Sequence, residues 1–178
     1  MTVRTVLKMG HPLLRQVARP VTEFGTRELR ELVRDMDDTM RSLDGAGLAA
    51  PQIGVSLRVV IFEVVGNPRY PDVGEVPYTV LVNPELTPLG EETEDGWEGC
   101  LSVPGLRGRV PRHRRLRYRG VDLDGGPIDR TVEGFHARVV QHEVDHLDGI
   151  LYPMRVADMR AFGFEAELFP DRSALPPD

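Results

Sequence analysis

The sequence has little cysteine, few aromatic residues and no long apolar run, and these shortages exclude whole classes of protein. Cys100 is the one cysteine among 178 residues, so a disulfide-stapled secreted scaffold is excluded and a reducing compartment is favoured. No stretch approaches the roughly 20 apolar residues that a membrane-spanning helix needs. The first residues show no charged-then-apolar leader. We therefore expect a cytoplasmic protein without membrane contact, or an organellar one whose leader this sequence lacks.

Charge is low in total but uneven along the chain. The net charge of −6, from 22 basic and 28 acidic residues, argues against specific nucleic-acid binding by the whole domain. Acidic residues crowd into 91–98, whereas arginines crowd into 107–119. Arg115, Arg117 and Arg119 alternate with apolar residues, which predicts one solvated face of a strand. Contact of this basic run with an acidic partner or an RNA is the alternative.

Hydrophobic periodicity predicts two principal helices. Apolar residues recur at helical spacing over 26–43, with Thr26 as the N-cap and Gly45 just past the end. A second helix is predicted over 134–147, and Gly149 is its C-terminal stop.

The remaining pattern predicts short strands and one fold class. We expect a short helix at 11–17, strands at 57–65 and 78–83, a loop at 66–71, and a hairpin of 115–123 with 127–132. The expected fold class is α+β, with short antiparallel β-sheets packed around a central helix that carries an HExxH motif. Residues 1–178 are expected to form a single catalytic domain, with an irregular C-terminal tail from about 154.

His142-Glu143-Val144-Asp145-His146 is the strongest chemical signal. Residues four apart share a helix face, so His142 and His146 can bind one ion. Glu143 lies one step round the helix, where it can reach a water on that ion without binding the ion itself. This pattern indicates a metal-dependent hydrolase, and a pair of exposed histidines on an amphipathic helix is the alternative.

Cys100 is the best candidate for the third ligand. No histidine follows His146, and Glu165 and Glu167 lie in an apolar context. Upstream, Gly99 allows close backbone approach and the Cys100 thiolate is a good soft ligand. Two imidazoles and one thiolate leave a fourth position vacant, as a catalytic metal site requires. An inert buried thiol is the alternative for Cys100.

Three segments in order resemble the signatures of the peptide deformylase family: residues 45–52 (GAGLAAPQ), 98–102 (EGCLS) and 141–146 (QHEVDH). The similarity covers most of the chain, to about Pro153. It implies removal of the formyl group from the N-terminal N-formylmethionine of newly made polypeptides, which releases formate. Metal-bound hydroxide would attack the formyl carbon, and Glu143 would act as general base and then general acid.

The resemblance also implies the remaining roles. Cys100, His142 and His146 would bind one divalent ion, Fe²⁺ in the native form and Zn²⁺ or Ni²⁺ as purified. Catalytic partners of Glu143 would be Gln52, through its amide, and Leu101, through its backbone N–H, which stabilise the oxyanion. The peptide would pair with backbone groups of three small residues, Ala46, Gly47 and Gly99. The expected partners are N-formylmethionyl nascent peptides and, through transient contact, the ribosome.

Several finer expectations concern residues near this centre. Leu101 and Val139 are candidates for the methionine pocket, although core packing also explains Val139. Glu98 is a candidate to orient its loop through an ion pair with an arginine such as Arg107 or Arg112, and a solvated carboxylate is the alternative. Arg138 and its neighbours in 134–138 resemble a mitochondrial-like branch of the family.

Two rival functions remain open on the sequence alone. A zinc endopeptidase would use similar chemistry on an internal amide. A non-catalytic module would hold a structural metal and bind RNA through the basic run, but it requires a fourth protein ligand. The other histidines, His11, His113 and His136, lie on different segments or at unsuitable helical spacing.

Overall fold

A computed structural model describes residues 2–65 and 75–170. The loop predicted at 66–71 lies outside these residues. The described residues contain β1 Gly47–Ala49, β2 Val59–Val64, β3 Val76–Pro88, β4 Thr93–Cys100, β5 Val103–His113, β6 Arg115–Val121, β7 Pro127–Glu133 and β8 Phe162–Phe164. Their helices are α1 Arg27–Ser42, α2 Gly134–Leu147 and the one-turn α3 Glu165–Leu168.

The strands form two antiparallel sheets. The first has the order β1-β2-β3-β6-β7, and the second has the order β4-β5-β8. Helix α2 contacts β1, β2 and β7 of the first sheet and β5 of the second. The predicted α+β class, with short antiparallel sheets around a central helix, is therefore confirmed.

Helix α1 begins where the sequence predicts. The Thr26 hydroxyl accepts a hydrogen bond from the Leu29 N–H at 3.2 Å, which satisfies one of the free donors of the first turn. Its apolar residues, including Met36 and Met40, pack into the core beneath β1 and β2. Gly45 lies just past the end of the helix as predicted, and the residue with left-handed backbone there is Asp44, with φ 50°.

Helix α2 is the buried centre of the molecule. It begins and ends as predicted, and Gly149 follows it with φ 73°. Ala137, Val140, Val144 and Leu147 pack against the first sheet. The opposite side of the helix is also buried, yet it carries polar groups that face the second sheet. Helix α2 is therefore buried on both sides, with apolar residues on one side and polar, ionisable residues on the other.

Some predicted elements differ from the structure. The predicted helix at 11–17 is a single 3-10 turn, Pro12–Arg15. The strand predicted at 78–83 extends over all of β3. Strands β4 and β5 have no counterpart among the predicted strands, because their charged, glycine-containing sequences lack a clear alternation of apolar and polar residues. The hydrogen bonds that the two strands make with each other over most of their length stabilise them. The hairpin of β6 and β7 is confirmed.

The segment after 154, expected to be an irregular tail, contains β8 and α3. Strand β8 pairs with β5, and Trp97 of β4 meets Phe169 edge-on at a ring distance of 5.0 Å. Residues 171–178 lie outside the described part of the chain. Among the described residues, no helix is long and apolar enough to cross a membrane.

Candidate metal centre and substrate cleft

Cys100, His142 and His146 converge between the two sheets. One ligand atom from each lies within 4.8 Å of the others. Cys100 ends β4, and the two histidines lie one turn apart on α2, with ring centroids 5.1 Å apart. The Cys100 Sγ is 3.4 Å from His146 Nε2. The fold therefore brings the three predicted ligands together, although Cys100 lies 42 positions before His142 in the sequence.

The donor set fits a divalent ion. A thiolate and two imidazoles suit Fe²⁺, Zn²⁺ or Ni²⁺ better than Mg²⁺ or Ca²⁺. Within the described residues, no further cysteine, histidine or carboxylate joins this cluster as a fourth ligand. An open position is what a catalytic metal site needs and a closed structural site lacks. The arrangement therefore counts against the non-catalytic rival.

Glu98 contacts the Nδ1 side of the His142 ring. Its Oε2 lies 2.9 Å from His142 Nδ1, which leaves Nε2 of that ring available to an ion. Arg112 donates two further hydrogen bonds to this carboxylate, each of 2.9 Å. Burial opposes ionisation, but the hydrogen bonds from Arg112 and His142 keep the pKa of Glu98 well below its usual range. Glu98 is thus a charged, fully engaged carboxylate, and the solvated alternative is wrong.

Arg112 extends this contact into a buried ion network. Its side chain also donates to Asp145 of the metal-binding motif at 2.5 Å, and Arg155 donates to both oxygens of Asp145. The basic run is therefore not one solvated face: Arg112 is 4% exposed, whereas Arg115 and its alternating neighbours on β6 are exposed as predicted.

The pKa values of the two histidines are shifted in opposite directions. Burial would lower the pKa of His142, but hydrogen bonds and charges from Cys100 and Glu98 raise it well above its ordinary value. Burial lowers the pKa of His146 well below its ordinary value. The negative groups around His142 therefore stabilise a positive charge next to them, such as that of a bound cation. His146 remains a neutral imidazole, which is the form that binds metals.

Glu143 is buried beside the three ligands. Burial raises the pKa of its carboxyl to about 7, and its Oε2 has no hydrogen-bond partner among the described residues. Gly47 of β1 lies against it: a Cβ at that position would be 2.4 Å from Glu143 Oε1. The backbone of β1 therefore reaches the carboxylate only because residue 47 has no side chain.

Gln52 lies on the other side of Cys100, in the 3-10 helix Ala50–Ile53. Its Oε1 accepts a hydrogen bond from Ala49 N at 2.8 Å, and its Nε2 donates to Ser102 Oγ at 3.1 Å and approaches Cys100 Sγ at 3.5 Å. The carbonyl of Leu101 accepts a hydrogen bond from Lys8 Nζ at 2.8 Å, which holds the Leu101–Ser102 peptide. Lys8 gives no signal in the sequence, because its role depends on a contact across 93 residues.

A cleft opens beside these groups. It contains six of the predicted site residues other than the metal ligands: Ala46, Gly47, Gln52, Gly99, Leu101 and Glu143. Val139 lines it and also packs in the core, so its position is compatible with both of its predicted roles. The cleft is also lined by six residues that the sequence did not assign to it: Gly45, Trp97, Glu98, Arg107, Phe135 and Arg138. Arg107 pairs with Glu165 rather than acting as the partner of Glu98. The fold and this centre define a metal-dependent hydrolase with a cleft between two sheets.

Comparison with known proteins identifies the family of metal-dependent hydrolases to which the chain is similar. A sequence model of the family described as polypeptide deformylase matches residues 3–162. Peptide deformylase 1 of Nitrosomonas europaea is 66% identical over 171 residues, covering 96% of this chain and 97% of that protein. Peptide deformylase 2 of Ralstonia nicotianae is 63% identical over 172 residues, covering 97% of each.

A solved structure agrees with these sequences. The class I type b peptide deformylase from Acinetobacter baumannii, with Met-Ala-Ser bound, has a TM-score of 0.84 and 43% identity, covering 87% of this chain and 99% of that one. The chain belongs to the peptide deformylase family: it is a hydrolase that uses a divalent metal to remove the N-formyl group from nascent peptides. These three relatives are bacterial, and the expected likeness to a mitochondrial-like branch is not confirmed.

Proposed function

We propose that Cys100, His142 and His146 bind one divalent ion and that Glu143 carries the proton during hydrolysis of N-formylmethionyl peptides. The observation that carries this assignment is the buried carboxylate of Glu143, whose Oε2 has no hydrogen-bond partner within 2–65 and 75–170, next to three converging ligand atoms. When bound, the ion supplies Lewis-acid activation of water and of the formyl carbonyl.

Glu143 is suited to both halves of the proton transfer. A carboxyl group whose pKa is about 7 can accept a proton from the attacking water and return it to the leaving amine at neutral pH. Its burial supplies that pKa, and the glycine at position 47 leaves room for the carboxylate at the wall of the cleft. The same residue therefore acts first as base and then as acid.

Gln52 and Leu101 are the proposed oxyanion donors. The Oε1 of Gln52 is already used by Ala49, so its amide hydrogens face Cys100 and Ser102. Lys8 binds the Leu101 carbonyl and so holds the Leu101–Ser102 peptide, which follows directly after the Leu101 N–H. Donors that are held before the reaction begins stabilise developing negative charge without reorganisation.

The substrate backbone is proposed to bind as an added strand. Strand β1 is at one edge of the first sheet and β4 is at one edge of the second. Ala46 and Gly47 lie on one wall of the cleft and Gly99 lies on the other. An extended peptide can pair with such edges, and small residues allow its close approach. The Acinetobacter baumannii enzyme was solved with the tripeptide Met-Ala-Ser bound, which supports a short peptide as the ligand of this cleft.

Fe²⁺ is the proposed native ion, with Zn²⁺ or Ni²⁺ as replacements acquired during purification. A thiolate ligand beside Fe²⁺ is sensitive to oxygen, so activity should decay in air as iron or Cys100 is oxidised. Anaerobic purification with metal analysis tests this. Full activity of iron-loaded protein after prolonged aeration would contradict the predicted oxygen sensitivity, and another ion in the anaerobically purified protein would contradict Fe²⁺ as the native ion.

The remaining cellular context is also proposed. The chain acts as one catalytic domain over 1–178, and its nascent-peptide substrate favours a cytoplasmic location with transient contact to the ribosome. The acidic net charge of −6 favours no specific nucleic-acid binding. Sedimentation with translating ribosomes, at low and raised salt, measures that contact directly.

One assay separates this function from a zinc endopeptidase. Formate release from formyl-Met-Ala-Ser is compared with cleavage of an unblocked peptide of the same sequence extended by several residues, using protein of known metal content. We expect formate from the first and no cleavage of the second. Peptide cleavage without formate would replace the deformylase assignment with the endopeptidase.

A further inference from the structure

Arg138 connects the metal-binding helix to the second sheet. It lies four residues before His142 on α2, and its side chain is 10% exposed. Its guanidinium donates to three backbone carbonyls of the β4–β5 hairpin: Glu94 at 2.6 Å, Val110 at 2.8 Å and Gly96 at 3.4 Å. One side chain of the metal-binding helix therefore holds both strands of that hairpin.

The same guanidinium also binds Glu98, the carboxylate behind His142. Glu98 Oε1 accepts from Arg138 Nη1 at 2.9 Å and from Arg112 Nε at 2.9 Å. Glu98 Oε2 accepts from Arg112 Nη2 and lies against His142 Nδ1. Two planar guanidinium groups in different directions therefore fix the plane of this carboxylate, which in turn fixes the imidazole of His142.

Gly96 is shaped to accept Arg138. A Cβ built on Gly96 would lie 2.7 to 2.8 Å from the guanidinium atoms of Arg138. Any side chain at position 96 would therefore push the guanidinium away from the hairpin. The φ of Gly96 is not in the left-handed region, so close approach rather than backbone conformation requires the glycine here.

We propose that Arg138 is a positioning residue for the metal centre, which it orients through Glu98 and β4. This inference rests on the proposed function, in which His142 is a metal ligand. From α2, Arg138 makes contacts to β4 and β5 that a lysine could not reproduce, because a single ammonium lacks the planar fork. Its loss leaves Glu98 bound by Arg112 but free to tilt, and His142 tilts with it.

The test uses protein loaded with Co²⁺, whose visible absorption band reports the geometry of its ligands. Arg138→Met removes the donors at similar length, and Arg138→Lys keeps the charge without the fork. Arg109→Met is the matched control, since Arg109 is an exposed cation on the same hairpin, paired only loosely with Asp95 at 3.7 Å. The readouts are the cobalt band, the rate of cobalt loss to a chelator, and thermal unfolding.

We expect both Arg138 variants to shift the cobalt band and to lose cobalt roughly 10-fold faster. This factor is at the lower end of the loss in metal affinity that follows removal of a hydrogen-bond partner of a metal ligand. Arg109→Met should behave as the parent protein. If Arg138→Met lowers the unfolding temperature but leaves the band and the loss rate unchanged, Arg138 only fastens the hairpin and the proposal is overturned.

Gly96→Ala provides a second route if Arg138→Met does not fold. Its methyl group should displace the guanidinium and so reproduce the cobalt phenotype, whereas in the Arg138→Lys background it should add little, because the guanidinium is already absent. Equal effects in both backgrounds would contradict the proposal. None of these readouts needs substrate, so a failure here is distinct from a failure of formate release by the parent protein.

Discussion

Glu143 shows how burial creates a reactive group from an ordinary carboxylate. On a solvated helix this side chain would be ionised at neutral pH and would have little tendency to hold a proton. Between β1 and the metal ligands it loses its water, and its pKa rises to about 7. The residue was predictable from the motif, but its proton affinity was not, because burial comes from β1, a strand far away in the sequence.

Glu143→Gln should abolish turnover and retain the metal. The amide keeps the size of the side chain but cannot accept a proton from water, so kcat should fall by at least about 10²- to 10⁴-fold. The measurement is formate release together with metal content for parent and variant. Substantial activity of a fully metal-loaded variant would remove Glu143 from the proton-transfer role.

Gln52→Ala should lower kcat by about 10²- to 10³-fold with a much smaller change in KM, because an oxyanion donor acts mainly in the transition state. Gln16→Ala is a suitable control, because Gln16 is an exposed glutamine beyond the 3-10 turn Pro12–Arg15. The comparison is steady-state kinetics at equal metal content. A variant that raises KM alone would indicate that Gln52 serves ground-state binding.

At the scale of elements, local signals explain the helices better than the strands. Helix α1 has its N-cap, its apolar stripe and its end within its own sequence. Strands β4 and β5 have no comparable local pattern, and they form because each supplies the hydrogen bonds of the other. The element that supplies Cys100 is therefore one that only pairing creates.

Thr26→Ala tests the best-supported local signal. Loss of the hydroxyl leaves the Leu29 N–H without its cap, which should lower the free energy of unfolding by about 1 kcal/mol. Urea unfolding measured by circular dichroism provides the value. Thr22→Ala, at an exposed position outside the helix, should change it by less than about 0.5 kcal/mol; equal losses would mean that Thr26 does not act as a cap.

At the scale of the whole molecule, a single buried helix joins two sheets with different chemistry. One side of α2 packs on the apolar face of the first sheet. Its other side meets the second sheet through ionic groups, Glu98 and Arg112 with Asp145 of the helix. Burying such charges is tolerated only when each is paired. The metal centre thus lies at a boundary between an apolar core and an ion network.

His136 should make global stability depend on pH. Burial, with Arg130 adding repulsion, lowers its pKa from 6.5 to about 4. The unfolded chain therefore takes up a proton below about pH 6.5 while the folded protein does not, so stability falls as pH drops from about 6.5 to about 4. Since His136 is partly exposed, we expect a loss of roughly 1 kcal/mol between pH 7 and pH 5 from this residue.

His136→Gln isolates this effect, because Gln does not titrate and can still accept a hydrogen bond near Tyr118. Urea unfolding of parent and variant at both pH values gives the comparison. Carboxylates and the other histidines titrate in both proteins, so their contributions cancel in the comparison. An identical pH dependence in the two proteins would show that His136 is not held neutral.

The sequence by itself determined helices α1 and α2, the hairpin of β6 and β7, the fold class and the candidate metal ligands. These features depend on local periodicity, on capping and on residue types whose chemistry is distinctive, such as one thiol and two imidazoles at helical spacing. The tertiary structure alone decided that Arg112 rather than Arg107 binds Glu98, and that Arg138 packs on Gly96. The physical reason is that these contacts depend on the pairing of β4 with β5 and on the packing of α2 and of residues 162–168 against that pair, so an arginine in a basic run becomes a buried partner only when the tertiary structure is formed.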